Sequence, residues 1–218
     1  MRMERTVEDA DAFTQRQQAV LDAVLELLVE GADAFTMNAV ARRASCSKET
    51  LYKWFGDRDG LLAATVRWQA SKVRAGNWER QRLSVDALRA SLERFAVNWL
   101  EVVSSHTSIA LNRVAIGKAG TDRSNLGHIV LANGRFAIGE RLKPLLEAAR
   151  ASGLLFFDDA EETFRAFFGL VARDVQIRLL LGDDLRMTAA DIARDAAVAV
   201  DQFLALYGAA KPPAHSGG

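Results

Sequence analysis

Apolar residues recur at intervals of three and four along almost the whole chain, the spacing that gathers one face of an α-helix. Val20, Val24, Leu27 and Leu28 set this stripe on a first helix over residues 14–30, and Gly31 supplies its stop. Thr36 suits the N-cap of a short second helix that turns Ala39, Val40 and Ala44 inward. A brief turn at Ser45-Cys46 follows, then Ser47 as the cap of a third helix that runs through Phe55 and stops at Gly56. Asp57 caps a fourth helix predicted to reach Arg74 or beyond.

Longer helices are predicted over 84–105, 106–118, 125–152, 158–181 and 188–207. The first of these carries Val85, Leu88, Leu92, Phe95, Trp99 and Val103 on one face. Gly117, Gly120, Gly153, Gly182 and Gly208 fall where the periodicity lapses. Strand-like alternation is absent, so the fold class is all-α: a three-helix head, then a larger antiparallel helical domain. The expected division is a flexible extension at 1–12, the head at 13–74, a larger domain at 75–207 and a disordered tail at 208–218. The tail is poor in bulky apolar residues.

Composition narrows the setting. One cysteine, Cys46, excludes an internal disulfide framework and suits a reducing compartment. No apolar run is long enough to span a bilayer, and the charged first dozen residues do not resemble a signal peptide. A soluble cytoplasmic protein is expected, without membrane partners. The formal net charge is zero, but ten cations face four carboxylates between Thr36 and Leu83, a local excess of +6. A basic segment on an otherwise acidic chain suits contact with a polyanion.

Chemistry concentrates in the same segment. At about 100° per residue, Leu51, Trp54 and Phe55 fall on one side of the third helix, and Glu49, Thr50, Tyr52 and Lys53 on the other. That outer side bears donors, acceptors and a phenol but no large aliphatic group. An α-helix so equipped fits the major groove of B-DNA, where its side chains meet base edges and phosphates. Thr36 and Ser47, at helix N-termini, can contribute hydroxyls and backbone N–H groups to a phosphate.

The order of residues resembles the TetR/AcrR family of regulators, which share T-x-x-x-(I/V)-A-x-x-A-G-V-S-x-x-T-L-Y-x-x-F-x-x-K, aligned here with positions 36–58. Val40-Ala41, Ala44, Ser47, Thr50-Leu51-Tyr52 and Phe55 agree. Ser45 stands where the family has a turn glycine, so strain is expected if that residue is left-handed. Arg58 replaces the family's lysine and keeps its charge, and Cys46 occupies a valine position, as packing rather than as a nucleophile. The C-terminal stretches Leu111-Asn-Arg-Val-Ala-Ile, Gly153-Leu and Leu179-Leu-Leu-Gly resemble AefR-like members.

The resemblance implies that Thr36, Ser47, Lys53, Trp54 and Arg58 hold the DNA backbone. It implies that Asn38, Lys48, Glu49, Thr50 and Tyr52 face bases or their flanking phosphates. It further implies a homodimer on a palindromic double-stranded operator, released by a small, largely apolar effector. Repression is the implied outcome, with activation left open. Phe95, Trp99, His106, Asn112, His128, Arg135, Phe136 and Phe168 are the candidate effector-pocket residues, polar groups within apolar helices and the aromatic walls beside them. Phe164, Phe167, Val171, Val175, Ala196, Val200 and Phe203, on the last two predicted helices, are the candidate dimer contacts.

An enzyme is not expected. The three histidines, His106, His128 and His215, form no recognisable constellation, and no HExxH, GxSxG, Walker or GxGxxG pattern occurs. The acidic pairs Asp158-Asp159, Glu161-Glu162 and Asp183-Asp184 sit at helix starts or turns, where they complement the helix dipole. No cofactor and no metal are expected. The rival readings are a ligand-binding or catalytic helical protein with a vestigial head, and a purely structural scaffold.

Overall fold

A computed structural model describes residues 13–209 apart from 32–33, 77, 80–81, 118 and 120–124. The expected flexible extension at 1–12 and all but the first two residues of the tail expected at 208–218 lie outside the described residues; Gly208 and Ala209 are held instead by pairing with Leu155 and Leu154. The described chain is helical: α1 (Gln15–Glu30), α2 (Met37–Arg43), α3 (Lys48–Phe55), α4 (Arg58–Ala70), α5 (Val85–Ser104), α6 (His106–Gly117), α7 (Leu126–Val130), a π-helical turn (Leu131–Phe136), α8 (Ala137–Ala151), α9 (Ala160–Ala172), α10 (Val175–Leu180) and α11 (Ala189–Tyr207). Extended pairing among the described residues is limited to one isolated bridge, Leu155 with Gly208. Among the same residues no helix is long and apolar enough to cross a membrane.

Side-chain caps place most of the helix starts. Thr36 accepts from Ala39 N–H at 3.1 Å, Ser47 from Thr50 N–H at 3.1 Å, and Asp57 from Gly60 N–H at 2.8 Å. Thr14 and Thr188 build reciprocal capping boxes with Gln17 and Asp191. Each cap satisfies an otherwise orphaned N–H and contributes about 1 kcal/mol.

Three predicted helices change on folding. The fourth ends at Ala70 rather than near Arg74. There the Ser71 hydroxyl donates to Trp68 O at 2.7 Å and Arg74 Nε to Ser71 O at 2.8 Å, closing carbonyls that further helix would have used. The helix expected over 125–152 contains the π-helical turn, where the Asn133 amide donates to Ile129 O at 3.0 Å. The helix expected over 158–181 breaks into α9 and α10 at Arg173, whose φ of 40° is left-handed. No glycine or proline marks that break. Its guanidinium pairs with Asp195 of α11 at 2.8 Å, a tertiary contact that offsets a local cost of about 1–2 kcal/mol.

Two apolar clusters form. The N-terminal one gathers Val24, Leu28, Phe35, Val40, Leu51 and Leu62 from α1 to α4, and draws in Leu111, Ala115, Leu126 and Ile129 from α6 and α7. The head is therefore seated on the larger domain through shared packing. Trp68 Nε1 also donates to Asp22 at 2.8 Å, tying α4 to α1. The second cluster joins α5, α8, α9 and α11 around Phe95, Phe164, Phe167 and Phe203. Phe167 meets Phe203 edge-on at 5.0 Å, a geometry that adds to area burial.

This second cluster corrects the expected dimer contact. Phe164, Phe167, Val171, Val175, Ala196, Val200 and Phe203 are each no more than 5% exposed within a single subunit. A stripe at three-and-four spacing looks the same whether a neighbouring helix of the same chain or of another copy covers it. Here α11 lays its stripe on α5 and α9. The apolar side chains left on the outside of this region include Ile177, Leu181, Val198 and Leu206.

Candidate nucleic-acid interface

α2 and α3 are joined by the turn Ala44–Ser47, and Ser45 has the left-handed φ, 50°, expected where the family has glycine. The Cys46 N–H donates to Ala41 O at 2.9 Å and closes the turn. Gly56, with φ 76°, ends α3 and returns the chain into α4.

Within α3, Leu51 is fully buried and anchors the helix to the head. Trp54 and Phe55 are half-buried against the same cluster, their rings edge-to-face at 6.1 Å. Lys48, Glu49, Tyr52 and Lys53 are exposed, Tyr52 by 52%. Thr50 is half-buried, its hydroxyl 3.1 Å from that of Ser47. The apolar side faces inward and the polar side outward, as the helical period requires. Asn38 and Thr36 are exposed at the start of α2.

The electrostatics of that open side are specific. Its own backbone N–H, and next the Ser47 hydroxyl, hold the Glu49 carboxyl below the usual carboxylate range. Glu49 is therefore an obligate acceptor at neutral pH, the chemistry that matches a cytosine N4 amino group. Lys53, in the last turn, is well placed against the helix dipole. The Arg58 guanidinium lies over the Phe35 ring at the base of α4, 4.6 Å from its centre.

The basic excess read from the sequence is not all available to a ligand. Arg43 is held by Glu30 at 2.7 Å and Glu26 at 3.2 Å, clamping α2 to α1. Arg67 donates to Asn133, Lys72 lies over Trp68, and Arg74 closes the end of α4. Arg42, Lys48 and Lys53 are exposed around α3. Nothing in the residue types distinguishes Arg42 from Arg43. Only the position of α1 does.

In the larger domain, part of the expected effector-pocket set comes together. Trp99 packs edge-on against Phe168 at 4.9 Å, Phe168 lies 6.3 Å from Phe164, and the Arg135 guanidinium covers both phenylalanine rings at 4.5–4.6 Å. Phe95 lies deeper, 6.2 Å from Phe167. The other residues lie elsewhere. His106, His128 and Phe136 are exposed, and the Asn112 amide donates to Ser108 O at 2.8 Å within α6. Among the described residues no group of three or more His, Cys, Asp or Glu could hold a metal ion.

A short helix with an open polar side, capped at a tight turn and braced by a second helix, defines the helix-turn-helix class of DNA-binding regulators. Residues 20–65 match the bacterial regulatory proteins of the tetR family, and residues 90–209 match the AefR-like transcriptional repressor C-terminal domain. The fold is shared with a TetR transcriptional regulator from Agrobacterium tumefaciens, 50% identical in sequence, at a TM-score of 0.76 over 90% of this chain and 96% of that one. It is also shared with the flavonoid-responsive regulator FrrA, 26% identical, at a TM-score of 0.62 over 92% and 99% of the two chains. The HTH-type transcriptional regulator BetI of Burkholderia mallei (strain NCTC 10229) is 37% identical over 78 residues, which is 35% of this chain and 40% of BetI. The chain thus matches less than half the length of that curated relative. It belongs to the TetR family of transcriptional regulators, with an AefR-like C-terminal domain.

Proposed function

We propose that the protein is a cytoplasmic, homodimeric repressor that binds a palindromic operator and leaves it when a small, largely apolar effector enters the domain spanning 75–207. The observation that carries this reading is the open side of α3, where Glu49, Tyr52 and Lys53 stand clear of the protein while Leu51 is fully buried beneath them. Thr36, Ser47, Lys53 and Arg58 would grip phosphates, and Asn38, Lys48, Glu49 and Tyr52 would meet base edges or adjacent phosphates. Thr50 and Trp54 would act from behind that surface, through the Ser47 cap and the packing of α3.

A single head makes few base contacts, so two copies related by a two-fold, reading half-sites one or more helical turns apart, are required for tight specific binding. Ile177, Leu181, Val198 and Leu206 are apolar side chains available to such a pairing. Release needs a mechanical link between domains, and α4 is suited to be that link. Its head end carries Arg58, while near its other end Gln69 donates to Thr107 at 2.6 Å and Ala70 O accepts from Arg141 at 2.7 Å. Movement at α6 or α8 would shift α4 and change the separation of the two recognition helices. Linkage then requires DNA to weaken effector binding by the same factor.

Selection of bound sequences from a random DNA pool tests the reading. An inverted repeat is expected, with binding that falls steeply between low and high salt. Recovery of unenriched sequence, or binding indifferent to salt, would overturn it.

A further inference from the structure

Two buried side-chain nitrogens among the described residues have no hydrogen-bond partner, Trp99 Nε1 and Arg135 Nη1. Unsatisfied buried donors are few in native proteins and each needs a reason. These two flank a single ring. Phe168 has the Trp99 ring 4.9 Å away on one contact and the Arg135 Cζ 4.6 Å away on another. They come from separate elements, Trp99 from α5 and Arg135 from the π-helical turn, so local geometry does not explain their proximity.

The nearest carboxylate does not complete the site. Glu161 Oε1 lies 3.9 Å from Arg135 Nη2, beyond hydrogen-bond reach, and its other oxygen is held at 2.8 Å by Lys143, which also bonds Glu140. Arg165, a like charge near Arg135, is itself paired with Glu162 at 2.9 Å. Burial pushes the Arg135 guanidinium below its ordinary range, against the pull of Glu161. A charged fork with one idle donor, walled by Phe164, Phe168 and Trp99, calls for an oxyanion carried on an apolar body. Trp99 itself is only 5% exposed, whereas the Arg135 side chain keeps 22% of its surface and marks the side of entry.

We propose that the effector of this protein is an apolar carboxylate whose oxygens accept from Arg135 Nη1 and Trp99 Nε1, with its body against Phe164 and Phe168. This rests on the reading of the larger domain as an effector site and names the chemistry it takes. The turn that carries Arg135 also touches the link to DNA. Asn133 accepts from Arg67 of α4 at 3.3 Å, and Gly134 faces Val66, which an added Cβ would meet at 3.4 Å, an ordinary van der Waals contact. A π-helical turn holds one residue more than the α-helical ladder needs, so it can take up a local shift without unwinding its flanks. An anion drawing on Arg135 therefore acts on the segment of chain that props α4.

The test is calorimetric titration of the full chain with 2-naphthoate and decanoate, each against its neutral carboxamide. At least one acid is expected to bind tenfold or more tightly than its amide, and Arg135→Gln is expected to abolish that preference. Trp99→Phe should weaken the acid at least threefold and by more than it weakens the amide, which keeps the test decisive if Arg135→Gln does not fold. Binding of neither acid, equal binding of acid and amide, or a preference that survives both substitutions overturns the proposal. Operator binding by the ligand-free protein is measured alongside. Its loss would sink the regulator reading, whereas intact operator binding without acid preference would sink this one alone.

Discussion

Lys53 and Arg43 are both cations of the helix-turn-helix, and the structure predicts opposite consequences for their removal. Lys53 is exposed on the open side of α3, whereas Arg43 is held by Glu26 and Glu30 of α1. A cation that neutralises a phosphate releases condensed counterions, so each contact contributes about 0.9 to the slope of log affinity against log salt. Lys53→Gln in both subunits of a dimer should then lower the slope by about 1.8, and between 50 and 200 mM salt the affinity gap to wild type should narrow by roughly twelvefold. Arg43→Gln changes net charge equally but removes only the clamp between α1 and α2. Its slope should match wild type, and it should lose about 0–1 kcal/mol of stability, as solvent-exposed pairs do. Fluorescence anisotropy titrations on one operator at four salt concentrations, with both variants, read the difference directly. Equal slopes for Lys53→Gln and wild type, or a slope lost with Arg43→Gln, would refute the assignment of α3's outer side to phosphate contact.

Four further outcomes follow from the geometry. Glu49→Ala should relax operator preference at one base pair of each half-site while leaving overall affinity nearly unchanged, as a library selection would read; an identical preference profile removes its cytosine role. Ser45→Gly should stabilise the head by about 0.5 kcal/mol, the relief of a left-handed residue less the greater freedom of glycine in the unfolded chain, with Ser45→Ala as the unstabilised control in urea melts. Phe203→Ala should cost about 3–5 kcal/mol at every protein concentration, because its ring is buried within one subunit. Leu206→Glu, at a side chain 67% exposed, should leave subunit stability within about 0.5 kcal/mol; a large loss there would show that the outer face of α11 is part of the subunit's own core.

Local chemistry was sufficient to place the starts of α2, α3 and α4 from their residues alone. Thr36, Ser47 and Asp57 cap helices because each side-chain oxygen meets an N–H three residues on, a contact that needs no distant partner. The left-handed backbone at Ser45 was implied by the resemblance, which puts glycine at that turn, and the open side of α3 follows from the helical period. Tertiary structure decided everything that depended on which helix stands next to which. Periodicity marked Phe167, Val200 and Phe203 as buried but could not say against what, and they face their own subunit. It also could not foresee the break at Arg173, which rests on an ion pair to Asp195, nor that Arg43 is ion-paired to Glu26 and Glu30 of α1. Of the pocket residues marked by composition, only Trp99, Arg135 and Phe168 meet around one ring, because α5, the π-helical turn and α9 converge there. A side chain's type and its place on a helix are properties of the chain. Whether its charge or its ring is answered depends on neighbours scores of residues away, brought near only by packing.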